Sequence, residues 1–371
     1  MLKEISINTQ AFFEIIRAGL WERECCLAQY GTVDFQEIYR LAEEQTVLGL
    51  VTAGLEHLSD YNVTKDELLQ FIGLTLQLEQ RNNAMNSFIA YLVDKMRQSN
   101  IYTLLVKGQG VAQCYERPLW RAAGDIDFYL SNTNYEKAKT LLIPLANSID
   151  SEDKGRLHVG MTIDSWVVEL HGTMHTGISR RMNKVSDDVH YDIFHSGNVR
   201  SWNNDGVQVF LPSPNNDVII VFNHFITHFY GEGIGLRQIC DWCRLLWTYK
   251  DEIDHSLLQR RISKMGLMNE WRAFASLAVE WLGMPADAMP LYSSDKVWSK
   301  KACKIAELII ETGSFGSNKD NSYRLKNSKC KEYIITLSRR MGEFGRISTI
   351  FPLNSCKFFI SYVFYRIKEV L

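Results

Sequence analysis

The run Gly124-Asp125-Ile126-Asp127-Phe128-Tyr129-Leu130 constrains this chain more than any other stretch. It reads as a strand that opens with two carboxylates. Strand side chains alternate between faces, so Asp125 and Asp127 share one side while Ile126 and Phe128 point into a core. Carboxylates at this spacing repel unless something positive lies between them. A divalent cation meets that need, and Mg²⁺ favours one or two carboxylates together with phosphate oxygens. A lone Asp-x-Asp is more often a pair of solvated acids, so the surroundings have to decide. Upstream, Leu104-Leu105-Val106 reads as a short buried strand that stops at the turn Lys107-Gly108-Gln109-Gly110. Val111 to Glu116 has helical character, Pro118 closes it, and Arg121 stands just ahead of the acids.

Composition narrows the classes. The chain has 371 residues, 46% hydrophobic and 23% charged, enough for a full core and a split into two or three subdomains. A net charge of -2 gives no general attraction to nucleic acid, which argues against a nucleic-acid partner. No apolar run reaches the ~18–20 residues of a membrane span. The amino terminus MLKEISINTQ lacks the pattern of a signal peptide, so we expect a cytoplasmic protein with reduced thiols. Cys240-Asp241-Trp242-Cys243 is the one CxxC, and its helical setting reads as buried small side chains before a redox pair.

Along the chain, residues 1 to about 100 read as helical. Ala11 to Leu27 has helical spacing, Asp34 looks like a cap, and Thr64 to Glu67 has the form of a capping box. The helix opened there carries Leu68, Ile72, Leu78, Met85, Ile89, Leu92 and Met96 as a packing stripe. After the two acids comes a helix from Asn134 to Ser148, then strands at Arg156 to Ile163 and Trp166 to His171 joined at Asp164-Ser165. Residues 172 to 213 read as polar and turn-rich, with a strand at Val207 to Leu211. Helices follow from Asp217 to about Gly283 and from Ser299 to Gly313. Ser314 to Ser322 reads as the least ordered loop, and the last segment is basic, then aromatic.

In Trp166 to His171, Val167, Glu169 and His171 share a face opposite Trp166, Val168 and Leu170. An unpaired acid in mid-strand is costly. On spacing alone, Glu169 is either a third metal ligand or the partner of Arg156 or Lys107.

The order strand, glycine turn, helix, Asp-x-Asp strand resembles the nucleotidyltransferase fold shared with DNA polymerase beta. It is especially similar to bacterial nucleotidyltransferase-family proteins whose signature runs LKG, an Arg, then GDID. Here those elements are Leu105-Val106-Lys107-Gly108, Arg121 and Gly124-Asp125-Ile126-Asp127. Weaker similarity extends from roughly Thr64 to Leu246. One departure is Gln109, where the wider superfamily has Ser or Gly after the first glycine.

The resemblance implies an α+β fold, a mixed sheet with flanking helices. Around it we expect an N-terminal helical region (1–100), a catalytic core (101–213) and a C-terminal helical domain (214–371). It implies Asp125 and Asp127 as ligands of Mg²⁺ or Mn²⁺, and tips Glu169 toward completing the site. The turn at Gly108 and Gln109 is a candidate for presenting N–H groups to a nucleoside triphosphate, with Lys107 and Arg121 as phosphate partners. His224, His228, Arg237 and Asp241 are candidates for the far wall of the cleft. The expected reaction moves a nucleoside monophosphate to a hydroxyl of an acceptor that the sequence does not identify. The alternative is a degenerate member that binds a nucleotide or a partner without turnover, for which Gln109 argues and against which the three acids argue. Zinc hydrolysis is a weaker reading: His171/His175 and His224/His228 have i, i+4 spacing, but no HExxH occurs.

Overall fold

The structure, a computed structural model, describes residues 6–231, 233–314 and 341–370, with backbone alone from 362. Four helices come first: α1 (Ile7–Trp21), α2 (Phe35–Glu44), α3 (Leu48–Glu56) and α4 (Lys65–Gln98). Then follow β1 (Thr103–Val106), α5 (Gly108–Ala112), β2 (Asp125–Leu130), α6 (Asn132–Leu142), β3 (Ser148–Ile149), β4 (His158–Ile163) and β5 (Trp166–His171). Helix α7 (Arg180–Phe194), β6 (Val199–Asn204) and β7 (Val207–Pro212) lead to α8 (Pro214–Tyr230), α9 (Leu236–Thr248), α10 (His255–Met265), α11 (Met268–Glu280) and α12 (Lys296–Thr312). A last helix runs Pro352–Val370. The fold is α+β.

The strands form one mixed sheet in the order β3-β4-β5-β2-β1-β7-β6. At its centre β2 runs antiparallel to β1 and parallel to β5. Alternation along β2 and β5 splits the apolar residues between two cores. Leu105, Ile126, Phe128, Val168 and Leu170 meet Met85, Ile89, Leu92 and Met96 of α4 on one face. On the other face Leu104, Val106 and Tyr129 join a core shared with α1, α7, α8, α9 and α11. The acids stand on this second face, under the helices that follow the sheet.

Local rules explain much of the chain's path. Thr64 and Glu67 make the expected reciprocal cap at the start of α4: the Thr64 N–H donates to the Glu67 carboxylate at 3.0 Å, and the Glu67 N–H to Thr64 Oγ1 at 3.4 Å. The stripe on α4 packs on the sheet from Met85 onward, whereas Leu68 and Ile72, near its start, are exposed. Helix α1 stops at Trp21, six residues short of the expected Leu27, because Glu22 takes a left-handed φ of 48°. Residues 172 to 213 hold more order than their polarity suggests: α7, capped by Ser179, buries Met182, Val185, Val189 and Ile193 in the core it shares with α8 and α10. Cys240 and Cys243 are buried free thiols on α9. Of the stretch Ser314 to Ser322 only Ser314, and of the basic segment that follows none before residue 341, lies within the described residues. Among the described residues no helix is long and apolar enough to cross a membrane.

Candidate active site

Strand β2 brings its acids to the middle of the sheet, with Asp127 directly opposite Val106 of β1 and Glu169 of β5. Because both neighbours are in register, one face carries Asp125, Asp127, Glu169 and His171 together. Ligand atoms of Asp125, Asp127 and Glu169 lie within 4.8 Å of one another. Those of His158, Glu169 and His171 do too.

Asp127 is 2% exposed and heavily used. Its Oδ1 lies 2.7 Å from Lys107 Nζ and accepts from His171 Nε2 at 2.8 Å. Lys107 stays an ammonium: burial disfavours its charge, but Asp127, Asp125 and Glu169 outweigh that and raise its pKa. His171 follows the same balance, with burial opposed by hydrogen bonds to Asp127 and Glu169, and its pKa is raised. Asp125 goes the other way for an acid. The charge of Asp127 beside it, then burial, lifts its pKa above the ordinary carboxylate value. Glu169 pays a burial cost that the hydrogen bonds from His158 and His171 outweigh, so its carboxyl is held well below the usual range. Three carboxylates meet one ammonium and two imidazoles here, and the oxygens of Asp125, Asp127 and Glu169, within 4.8 Å of one another, are donors that suit a hard cation.

The chain reaches this geometry through a strained turn. Lys107 has φ 56° and ψ -145°, a region that side chains with a Cβ avoid, and Gly108 follows at φ 36°. That twist directs the Lys107 ammonium at Asp127. We expect Lys107→Gly to be more stable than Lys107→Ala by about 1–2 kcal/mol, because both lose the ammonium and only glycine relaxes the backbone. Urea denaturation of the two variants checks this, and equal midpoints with equal slopes would remove the strain argument.

Gln109 turns away from the acids. It is buried, and its Nε2 donates to Asn82 Oδ1 of α4 at 2.9 Å. Arg121 is also committed elsewhere. Its Nε and Nη2 donate to Oδ1 and Oδ2 of Asp241 at 3.1 and 2.6 Å, a buried fork that the Tyr115 hydroxyl joins at 2.8 Å. Arg237 donates from Nη1 to the Ala122 carbonyl at 2.7 Å, and burial followed by its neighbour Arg121 lowers its pKa. Lys107, Gly108, Arg121, Asp125, Asp127, His224, Arg237 and Asp241 all border one small compartment. Lys107, Asp125 and His224 also border a larger open cleft of about 450 Å³, whose far wall includes Asn223 and His228. His224 and His228 form a T-shaped pair 4.5 Å apart. Burial, then the nearby Lys107 charge, holds His224 well below its ordinary pKa and therefore neutral.

A family described as an uncharacterised nucleotidyltransferase matches residues 31–283. The chain belongs to this nucleotidyltransferase family. No curated protein and no solved structure matches. Within the nucleotidyltransferase, the matched span takes in all seven strands, the acids, His224 and Arg237. Membership supports nucleotidyl transfer as the general activity and a nucleotide as substrate.

The sequence reading overlooked His158. It faces His171 across the β4–β5 hairpin, in line with the pairing Ile163↔Trp166 at the turn. Counting outward from Asp164-Ser165 pairs 158 with 171, so the signal was present in the hairpin's length.

Proposed function

We propose that this nucleotidyltransferase moves a nucleoside monophosphate from a nucleoside triphosphate to an acceptor hydroxyl in the presence of Mg²⁺, with pyrophosphate leaving. The observation that carries the reading is the register Asp127↔Glu169, which gathers three carboxylates on one face of the sheet. Asp125 and Asp127 would hold the ion or ions, and Glu169 would complete the set on the acceptor side. Two such ions bound ~3.5–4 Å apart stabilise the attacking and leaving oxygens of an in-line displacement.

The protein's own groups have separable tasks. Lys107, fixed beside Asp127, supplies a positive charge to the phosphate oxygens. The Gly108 turn lets the triphosphate approach the backbone, and Arg237 borders the same compartment. The larger cleft, lined by Glu169, Asn223, His224 and His228, offers the acceptor its place. Its volume falls within the range of small-molecule sites, roughly 300–1,000 Å³. Gln109 does not oppose turnover, since its side chain sits against α4 and leaves the turn clear.

The chain contains neither GxxxxGK[ST] nor an HRD-type loop, so γ-phosphoryl chemistry lacks its usual parts. With label at the α-phosphate, we expect acceptor-dependent incorporation and stoichiometric pyrophosphate. Transfer of γ-label alone would refute the reading. Mg²⁺-dependent stabilisation by a triphosphate, without pyrophosphate release across small-molecule, RNA and protein acceptors, would favour a binding protein instead.

A further inference from the structure

Glu169 belongs to two ligand sets of different chemistry. One is all oxygen, with Asp125 and Asp127; the other adds two imidazoles, His158 and His171. We propose that His158, Glu169 and His171 form a second site, sharing Glu169 with the hard-ion site, for a borderline transition-metal ion of the Zn²⁺ type that binds without nucleotide. The inference concerns the same cleft as the proposed transferase reaction, but adds an ion that this reaction does not require.

The distances carry the argument. Glu169 Oε2 lies 3.2 Å from His158 Nε2 and 3.4 Å from His171 Nε2. Charge-assisted hydrogen bonds are shorter, about 2.7–2.9 Å. In a tetrahedron with metal–ligand bonds of about 2.0–2.2 Å, neighbouring donors stand roughly 3.3–3.6 Å apart. The two Glu169 contacts, long for ion-pair hydrogen bonds, therefore have the length of such edges. The two rings lie 4.7 Å apart at 27°, and both Nε2 atoms approach Glu169 Oε2; His171 Nε2 also meets Asp127 Oδ1 at 2.8 Å, a hydrogen bond that a bound ion would replace.

Donor type separates this site from its neighbour. Imidazole nitrogens suit Zn²⁺ and similar ions, whereas carboxylate and water suit Mg²⁺. Two imidazoles and one carboxylate leave a fourth position open, as in zinc sites that keep a water. All three residues border the large cleft, so that position is accessible to water or to an acceptor. His175 and Arg156 line the cleft as well, but the donor atoms that lie within 4.8 Å of one another are those of His158, Glu169 and His171, while His175 and Arg156 meet Asp187 and Asp153 at 2.6 Å. A rigid hairpin register supports the set, since His158 and His171 are directly paired across β4 and β5.

Titration of the metal-free full chain with Co²⁺, followed by visible absorption, tests this without nucleotide. We expect intense tetrahedral-type bands at one equivalent, displaced by Zn²⁺ and not by millimolar Mg²⁺. His158→Gln and His171→Ala should each weaken binding at least tenfold, with far-ultraviolet circular dichroism reporting that they remain folded. His224→Ala, a nearby histidine outside the set, should leave the bands unchanged. His158→Gln should retain Mg²⁺-dependent binding of a triphosphate, which separates this site from the all-oxygen one. Weak octahedral bands, or bands insensitive to His158→Gln, would overturn the proposal whether or not the protein transfers a nucleotide. Loss of α-label transfer with the cobalt bands intact would instead count against the transferase reading alone.

Discussion

Asp125→Asn is expected to cut α-label transfer by on the order of 10³-fold, the scale of removing a group that stabilises transition-state charge, while leaving the metal-free protein at least as stable as the parent. The two effects have one cause. Asp127 raises the Asp125 pKa, so the folded state resists ionising Asp125. A raised carboxyl pKa means that the folded protein holds its proton more tightly than the unfolded chain does. Stability is then lost as pH climbs from the unfolded value through the folded one, and the neutral amide escapes that loss. At pH 7 without metal the variant should melt at or above the parent. Added Mg²⁺ and nucleotide should stabilise the parent and not the variant. Asp127→Asn should differ. Removing that charge leaves the Lys107 ammonium buried beside a neutral amide, so activity and melting temperature should fall together. The repulsion between neighbouring carboxylates, taken alone, would predict that both substitutions are tolerated in the fold. Retained transfer in Asp125→Asn, or a melting temperature several degrees below the parent, would dismiss this account.

What could be read from the sequence was whatever has a short period. Alternation in Gly124 to Leu130 and Trp166 to His171 placed the acids on one face and the apolar residues on the other, and the sheet keeps that division. The capping box at Thr64 is equally local and equally visible. Pairings across long separations were not visible. Arg121 reads as a phosphate partner because it stands before the acids, yet its guanidinium meets Asp241, 120 residues later. Lys107 reads as a general cation near phosphates, whereas its positive φ fixes it on Asp127. Helix α7 escaped notice because its exposed face is highly charged. Its apolar residues, Met182, Val185, Val189 and Ile193, are sparse but correctly spaced for one buried face of a helix.

Asp241→Ala should be the most destabilising single change near the site, at about 3–5 kcal/mol. The carboxylate is 5% exposed and holds Arg121 by two contacts and Tyr115 by a third. Without it the Arg121 guanidinium stays buried next to Arg237, whose own charge is already disfavoured by burial and by Arg121. Asp125 is then the carboxylate left near both guanidiniums, and it already faces Lys107 and Asp127. Replacing both partners with apolar residues, Arg121→Met with Asp241→Leu, should recover most of the loss, because a well-packed apolar pair avoids desolvating either charge. Urea denaturation of the two single variants and the double variant gives the coupling, and a cost below ~1 kcal/mol for Asp241→Ala would show the pair to be dispensable. The same double variant sorts the two roles open to Arg121. If the guanidinium is a strut that joins α9 to the approach of β2, refolding the region without charge should restore triphosphate affinity. If it also reaches a phosphate oxygen, the double variant should be stable yet bind the triphosphate at least tenfold more weakly. The bidentate fork on Asp241 favours the strut, since Nε and Nη2 are both committed to it, and we expect affinity within about threefold of the parent.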